Sequence, residues 1–532
     1  MLGLGLGLDE PERVLRDRAG QVLGLTPESI RGLRVARRAL DGRHRSLPRF
    51  VVHVDLVIDP AARGQTLDRA LAAGRARELP PPARFELASS DRSWRGRAVV
   101  VVGAGPAGLF AAHVLALHGV RVDLLDRGPG LRERGRAVAR FVRERELDPE
   151  RNLLFGEGGA GTYSDGKLYT RTQHALEEPI LVALVACGAP EAIAYDARAH
   201  IGTDRLHRVL PRLREQLESQ GVRFHFGTRL LSLVTDGAAT RRVRAVRTSA
   251  GELRADAVVL APGHSARDTL RALAAQGVVV QAKPFQLGVR VEHPQSLVDR
   301  GRYGPDPAVA ARLGPSYYAL VCRSGQGRAA VHSFCMCPGG QIVASVSEPG
   351  LLCTNGMSNS RHSSRYANAG LVVTVDSCGA SGGPFAGVEL QEQLERRFYD
   401  AGGGGYRAPA QRVADFRAGR ESRTLLPTSY KLGIASARID ALLPEWISEA
   451  LRGALVRFER EIPGFDTEGQ FVGIESRSSG AVRLPRDAAH RLASGFANLF
   501  PVGEGAGYAG GIMSAAIDGA RSAQALLAQR CP

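Results

Sequence analysis

Lysine is nearly missing from this chain. Of 70 basic side chains in 532 residues, only Lys167, Lys283 and Lys431 are lysines, and the other 67 are arginines. Such a skew is what a GC-rich coding sequence produces, so the net charge of +16 needs no anionic partner to explain it. The arginines are also interleaved with acids: Glu133, Glu144, Glu146, Asp148 and Glu150 stand among those of residues 127–151. A surface that tracks phosphates concentrates its charge on one face instead, so nucleic acid is not expected as a partner. Long apolar runs are missing too. None approaches the ~20 residues of a membrane helix, so no membrane span is expected. The N-terminus, MLGLGLGLDEPERVL, meets acids within ten residues and has no secretory pattern. Paired cysteine motifs are the third absence. Cysteines 187, 322, 335, 337, 353, 378 and 531 form no CxxC pair and no even framework, which points to a reducing, cytoplasmic compartment. No metal-ligand constellation is expected.

What is present is enough for a sizeable core, with 44% apolar residues, and a length that implies two to four domains. Residues 1–95 read as a small appended α/β module. Residues 12–25 and 27–40 have helical apolar spacing, and the alternating residues 50–58 (FVVHVDLVI) read as a strand. A joint follows at Leu79-Pro80-Pro81-Pro82 and the polar residues 89–95. From Ala98 the pattern becomes buried strand, glycine turn, amphipathic helix and second buried strand. A helix is expected at 205–220, and further strands at 222–226 and 257–261. Between residues 284 and 419 alternating strands take over, with a hairpin expected at 331–346 around Pro338-Gly339-Gly340. Residues 443–462 form an amphipathic helix with Ile447, Leu451, Ala454, Leu455, Phe458 and Ile462 on one face.

The chemistry begins at Gly103-Ala104-Gly105-Pro106-Ala107-Gly108, a GxGxxG placed between strand and helix. Gly103 allows the tight turn, Gly105 lets a pyrophosphate approach the backbone, and Gly108 lets the helix pack on the strand. The helix N-terminus offers free N–H groups and its positive dipole end. Asp126 closes the second strand, where a carboxylate can accept from ribose hydroxyls. The choice between NAD and FAD rests on the other end of the chain. Residues 499–505 (LFPVGEG) are a strand entering an acidic glycine turn, and Gly510-Gly511 opens the helix 512–527. That second clamp suits a flavin: Glu504 for a ribityl hydroxyl, and the helix amides for a pyrimidine edge that gains charge on reduction.

At this point the chain resembles the uncharacterised FAD-dependent dehydrogenases of the glutathione-reductase-like flavoprotein superfamily. The likeness lies in residues 156–168 (GEGGAGTYSDGKL), 200–204, 261–269 (APGHSARDT), 283–294, 334–340 (FCMCPGG), 355–358, 475–479 (ESRSS) and 503–512 (GEGAGYAGGI). Residues 38–42 resemble that family's N-terminal domain. The resemblance implies FAD contacts at Gly103, Gly105, Gly108, Asp126, Gly161, Lys167, Gly503, Glu504, Gly511 and Ile512. With the neighbouring turn residues Pro106, Ala107, Arg127 and Gly263, these make up the expected cofactor site. Two departures stand out: the family often has Glu at the Asp126 position and Thr-Gly where Pro262-Gly263 stands.

Catalytic residues are not identified by the sequence; Lys167, Cys335, Cys337 and Arg477 are the candidates. Lys167, one of three lysines, follows a glycine-rich segment expected to run along the flavin, where a cation stabilises the anionic reduced ring. That segment holds no cysteine, which argues against a dithiol reductase. Cys335 and Cys337 share a face if their strand is regular. A disulfide between them would then be strained, so buried or substrate-lining thiols are expected rather than a redox pair. Arg361 and Arg365 lie in a polar loop suited to an anionic substrate group, and His200 and His264 read better as structural histidines than as acid–base groups.

The resulting expectation is an α/β protein with a Rossmann-like FAD-binding domain (96–170, 195–280 and 490–532), an inserted mixed α+β substrate domain (171–194 and 281–489) and the N-terminal module. Its expected function is hydride transfer between flavin N5 and an unidentified small organic substrate. No second GxGxxG is present, so either NAD(P)H would bind only as a transient reductant or the flavin would be reduced by the organic substrate itself. The alternatives are a flavin monooxygenase using NAD(P)H, an RNA-binding or RNA-modifying flavoprotein, and a flavin held without turnover. The oligomeric state is not read from the sequence.

Overall fold

The computed structural model describes residues 3–41, 48–86, 92–170, 173–237, 240–323, 325, 329–376 and 382–530. Cys378, Cys531, Gly42 and the start of the polar joint at 89–91 lie outside them.

Alternation decides the central sheet. Five parallel strands run in the order Leu499–Pro501, Ala257–Leu260, Ala98–Val102, Arg121–Asp126 and Arg223–Phe226. All five residues of Ala98–Val102 are buried, because both faces are covered. Val99 and Val101 pack with Leu109 and Ala112 of the helix Pro106–Leu117, Val209 and Leu213 of Thr203–Ser219, and Ala516 and Ala520 of Ile512–Leu527. Val100 and Val102 face the other way, toward Val243 and Val246 of a three-stranded antiparallel meander. The helices Pro106–Leu117 and Ile512–Leu527 cross closely at Gly519, where a Cβ would sit 1.9 Å from the Ala107 carbonyl oxygen. That crossing brings the two ends of the sequence motif together. Within the stretch 171–194 assigned above to the substrate domain, the described residues also pack on this side: Ile180 and Leu184 of the helix Glu177–Ala186 join the helical core.

The inserted domain is built on a seven-stranded mixed sheet, ordered Val321–Cys322, Val331–Cys337, Tyr366–Val375, Phe285–Pro294, Gln470–Glu475, Ala408–Arg412 and Ile434–Ser436. The helix Glu445–Glu461 covers it with Ile447, Leu451, Leu455 and Phe458 buried, as the apolar spacing predicts. The expected hairpin around Pro338 does not form. Val331–Cys337 pairs with Tyr366–Val375, while Gly340–Ala344 pairs with Thr354–Ser358 in a separate ribbon. Gly339, at φ 47°, lies so close to the chain at His362 that a Cβ would meet its carbonyl oxygen at 1.8 Å. The turn is therefore wedged against a third segment instead of closing a hairpin.

The N-terminal module corrects a second expectation. Beyond a single 3-10 turn at Pro27–Ser29, residues 27–40 are not helical: Ile30–Asp41 is a strand paired with Arg49–Ile58 in a three-stranded antiparallel sheet. Gly32 disfavours helix, and the register shifts there and again near Val35, so two bulges break the alternation and leave a spacing that mimics a helix. The module docks through Arg38. Its N–H donates to the Tyr195 carbonyl at 2.7 Å, and its guanidinium Nε to Asp196 Oδ1 at 3.0 Å.

Candidate active site

The glycine turn is held from three sides. Gly103, at φ 107°, is packed so tightly that a Cβ would lie 2.1 Å from the Ala261 carbonyl oxygen, and one on Gly108 would lie 1.9 Å from the Gly103 oxygen. Gly105 is different: a Cβ there would meet nothing nearer than Gly159 Cα at 3.9 Å. Two glycines thus build the turn and the middle one leaves room beside it. The helix Pro106–Leu117 has no side-chain cap, with proline in its first turn, so its leading N–H groups are not claimed by the protein's own capping side chain.

Asp126 is buried and holds the turn together. Its Oδ2 accepts from Ala104 N, and its Oδ1 from both Gly128 N and Gly156 N, each at 2.8 Å. Burial pushes its carboxyl pKa up, and the three N–H bonds oppose that rise. The expected ribose acceptor is therefore first a brace between three loops, with Oδ2 carrying only one of the three bonds. Arg127 lies over the Phe155 ring at 4.4 Å and is clamped between Glu150 (2.6 Å) and Asp268 (2.6 Å), which fixes the edge of the same cradle.

At the other end, Gly503 N donates to Asp518 Oδ2 at 2.8 Å. Asp518 also takes Arg486 at 2.6 Å and pairs with Arg491. This brace escaped sequence reading because Asp518 sits inside a helix with no motif to mark it. The helix Ile512–Leu527 likewise lacks a side-chain cap. Cβ atoms on Gly263, Gly510 and Gly511 would meet nothing within 4 Å. Gly510 lines a cleft of about 430 Å³ together with Thr170, Arg483, Gly507, Tyr508, Ala509 and Ser514. Gly161 closes on this helix start, since a Cβ there would lie 3.1 Å from Ile512 Cγ1. The two glycine elements, each opening a helix without a side-chain cap, and the open positions at Gly105, Gly263 and Gly511 fit a dinucleotide carrying a flavin ring.

Glu504 faces His264, with Oε1 at 3.6 Å from Nδ1. His264 Nε2 lies 3.0 Å from the Arg477 carbonyl and so carries the proton, leaving Nδ1 as a lone pair toward the carboxyl. Burial pushes Glu504 up to about 7, against Lys283, and pushes His264 down to about 4. Arg477 itself is committed elsewhere: it binds Glu395 and Glu348, each at 2.7 Å, with Arg267 on the opposite side of Glu395 at 2.8 Å. His200 stacks on His362 with ring centroids 4.2 Å apart, and burial lowers its pKa to about 4.

Lys167 does not reach solvent as a free cation. Its Nζ lies 2.7 Å from Asp165 Oδ2 and 3.8 Å from the sulfurs of both Cys335 and Cys337. Three of the candidate catalytic residues are thus one cluster, and the fourth, Arg477, belongs to a separate ion-pair network.

Two family descriptions match the chain. "FAD binding domain" covers residues 97–282, and "FAD-dependent protein, C-terminal domain-like" covers residues 284–478. A protein of Clostridium beijerinckii (strain ATCC 51743 / NCIMB 8052), named "Uncharacterized protein", is 36% identical over 533 residues, spanning 98% of this chain and 97% of that one. The chain belongs to this family of FAD-dependent proteins. FAD is the flavoprotein's cofactor, and it is an enzyme of the FAD-dependent oxidoreductase type. A glycine oxidase of Pseudomonas aeruginosa is 28% identical to it over 253 residues, covering 38% of this chain and 66% of that protein. Among solved structures, L-amino acid deaminase from Proteus myxofaciens in complex with anthranilate aligns with a TM-score of 0.34 at 12% identity, covering 85% of the flavoprotein and 93% of that chain. No helix among the described residues is long and apolar enough to cross a membrane.

Proposed function

We propose that this flavoprotein is a dehydrogenase of the glutathione-reductase-like superfamily, moving a hydride between flavin N5 and a small organic anion. The observation that carries the reading is the open cleft at the uncapped start of Ile512–Leu527, in which Arg483 is the one charged lining residue among the described residues. A bound FAD would supply the hydride chemistry. The chain supplies the rest. The turn built by Gly103 and Gly108, with Gly105, Pro106 and Ala107 at the helix start, would receive the pyrophosphate, while Asp126 keeps that turn in shape and would offer Oδ2 to a ribose hydroxyl. Arg127, clamped on Phe155, walls the adenosine side. Gly263 and Gly511, where a Cβ would meet nothing within 4 Å, would leave space for the ring, with Gly161, Gly503 and Ile512 around it, and Glu504 would receive a ribityl hydroxyl.

Arg483 is positioned by the short pairing of Gln281–Ala282 with Val482–Arg483, at the joint between the two domains. There it can hold a substrate carboxylate and so orient the carbon that gives up hydride. The glycine oxidase relative acts, by its name, on such a small carboxylate, which supports the same substrate class. The test is anaerobic titration of the FAD-loaded protein, followed by flavin absorbance, with NADH, NADPH and then a panel of small carboxylates. Bleaching by a carboxylate and not by either nucleotide is expected. Rapid bleaching by NADH or NADPH alone would overturn the reading in favour of a reductase or monooxygenase.

A further inference from the structure

The strand Val331–Cys337 is not regular where its cysteines stand. Its register against Tyr366–Val375 shifts between Phe334 and Cys337, and Cys335 adopts φ 43°, a left-handed conformation unusual for a residue with a side chain. Bulges of this kind re-aim side chains, and such conformations persist where the surroundings hold them in place. Here they bring both sulfurs to the same ammonium: Lys167 Nζ is 3.8 Å from each. Arg290 holds the bulge from behind, donating to the Cys335 carbonyl at 2.9 Å and lying 3.6 Å from Cys337 Sγ. The Cys337 thiol also reaches the Cys335 carbonyl at 3.3 Å. Cys335 is partly exposed, whereas Cys337 is fully buried behind it.

We infer that Cys335 and Cys337 are a redox-active dithiol that closes to an intramolecular disulfide by exchange with small-molecule disulfides, with Cys335 attacking first. The strain expected of such a bridge assumed a regular strand, and the bulge removes that assumption. The Cys335 thiolate attacks one sulfur of the disulfide, forming a mixed disulfide and expelling one thiolate. Cys337 then gives its proton to that thiolate, and its sulfur attacks Cys335 Sγ, breaking the mixed bond and expelling the second thiolate. The protein loses two electrons and one proton, and the small disulfide becomes one thiol and one thiolate. Lys167, equidistant from the two sulfurs, faces the negative charge wherever it stands along this path. The charge distribution agrees. The hydrogen bond from Cys337, then Lys167 and Arg290, pull Cys335 down to about 5 against burial, while donating that bond holds Cys337 above the usual thiol range. An accessible thiolate backed by a buried thiol is the order that attack and resolution require. The pair would act whatever substrate the flavin serves.

The experiment uses the full-length, FAD-loaded protein in glutathione buffers of graded redox composition, followed by acid quenching, alkylation under denaturing conditions and peptide mass mapping. Cys335 and Cys337 are expected to lose their alkyl labels together, in a peptide two hydrogens lighter, and to regain them with dithiothreitol. Cys337→Ser should accumulate a glutathione adduct on Cys335, whereas Cys335→Ser should show neither adduct nor closure. Full labelling of both cysteines across the whole series in the unaltered protein would overturn the inference, as would a Cys337→Ser protein that stays unmodified. The unaltered protein decides the matter if either variant fails to fold, and flavin absorbance read in the same samples keeps cofactor loss separate from thiol chemistry.

Discussion

Glu504 and His264 face each other 3.6 Å apart, and between about pH 4 and 7 both are neutral, because burial raises one pKa to about 7 and lowers the other to about 4. Their linkage terms oppose each other. Glu504, raised above its unfolded value of 4.5, contributes stability that is complete below pH 4.5 and is lost as pH rises through about 7. His264, depressed below its unfolded value of 6.5, contributes stability that is complete above pH 6.5 and is lost as pH falls through about 4. Between those unfolded values each state of the pair binds one proton, so the pair gives no slope there. Glu504→Gln leaves His264 alone, and the variant's melting temperature relative to the unaltered protein should rise from pH 4.5 to 7 in flavin-free samples. A pH-independent difference in differential scanning calorimetry would show that Glu504 is charged in the folded protein.

Gly105 and Gly108 look alike in the motif and differ in the fold. A Cβ at Gly105 has space, with its first neighbour 3.9 Å away, while one at Gly108 would strike the Gly103 oxygen at 1.9 Å. Gly105→Ala should therefore keep the melting temperature of the flavin-free protein and weaken FAD binding tenfold or more, because the methyl group occupies cofactor space. Gly108→Ala should destabilise the protein itself by about 1–3 kcal/mol, the usual cost of overpacking. Paired urea melts and FAD titrations separate the two.

Asp126 stands where the resembling family often has Glu. The three N–H donors at 2.8 Å are arranged around the shorter side chain. Asp126→Glu pushes the carboxylate past that ring and leaves buried donors unpaired, at about 1–3 kcal/mol for each one lost. We expect the variant to bind FAD more weakly and to melt earlier, despite matching the family. Tighter FAD binding by Asp126→Glu, measured by fluorescence titration, would make the residue chiefly a ribose ligand.

The parts of this site that were legible in the sequence are local ones. Gly103, Gly105 and Gly108 declare their roles within six residues, and the helix 443–462 shows its buried face by spacing alone. Lys167 was singled out by its rarity and Cys335 by its spacing from Cys337, yet nothing in the chain says that they meet, since 168 residues separate them. Bulges hid the rest. Those in Ile30–Asp41 turned a strand into a helix-like spacing, and the one at Cys335 invalidated the parity argument for the thiols. Asp518 went unread because a brace inside a helix has no sequence signature.

Arg477 illustrates how a motif residue can serve the site from a distance. Its guanidinium and that of Arg267 share the fully buried Glu395 carboxylate, while its carbonyl fixes the tautomer of His264. Burial works against the charge on Glu395, but the two arginines hold its pKa down to about 2. Glu395→Gln leaves both guanidinium groups buried and short of a counter-charge, with Glu348 shared between them. Breaking a buried pair in this way costs about 3–5 kcal/mol, so the variant should unfold at markedly lower urea. The loss should shrink as pH falls from 4.5 toward 2, because protonation removes the same charge from the unaltered protein. A Glu395→Gln protein as stable as its parent at neutral pH would mean that the two arginines find other partners, and that the Arg477 carbonyl is held in place without this network.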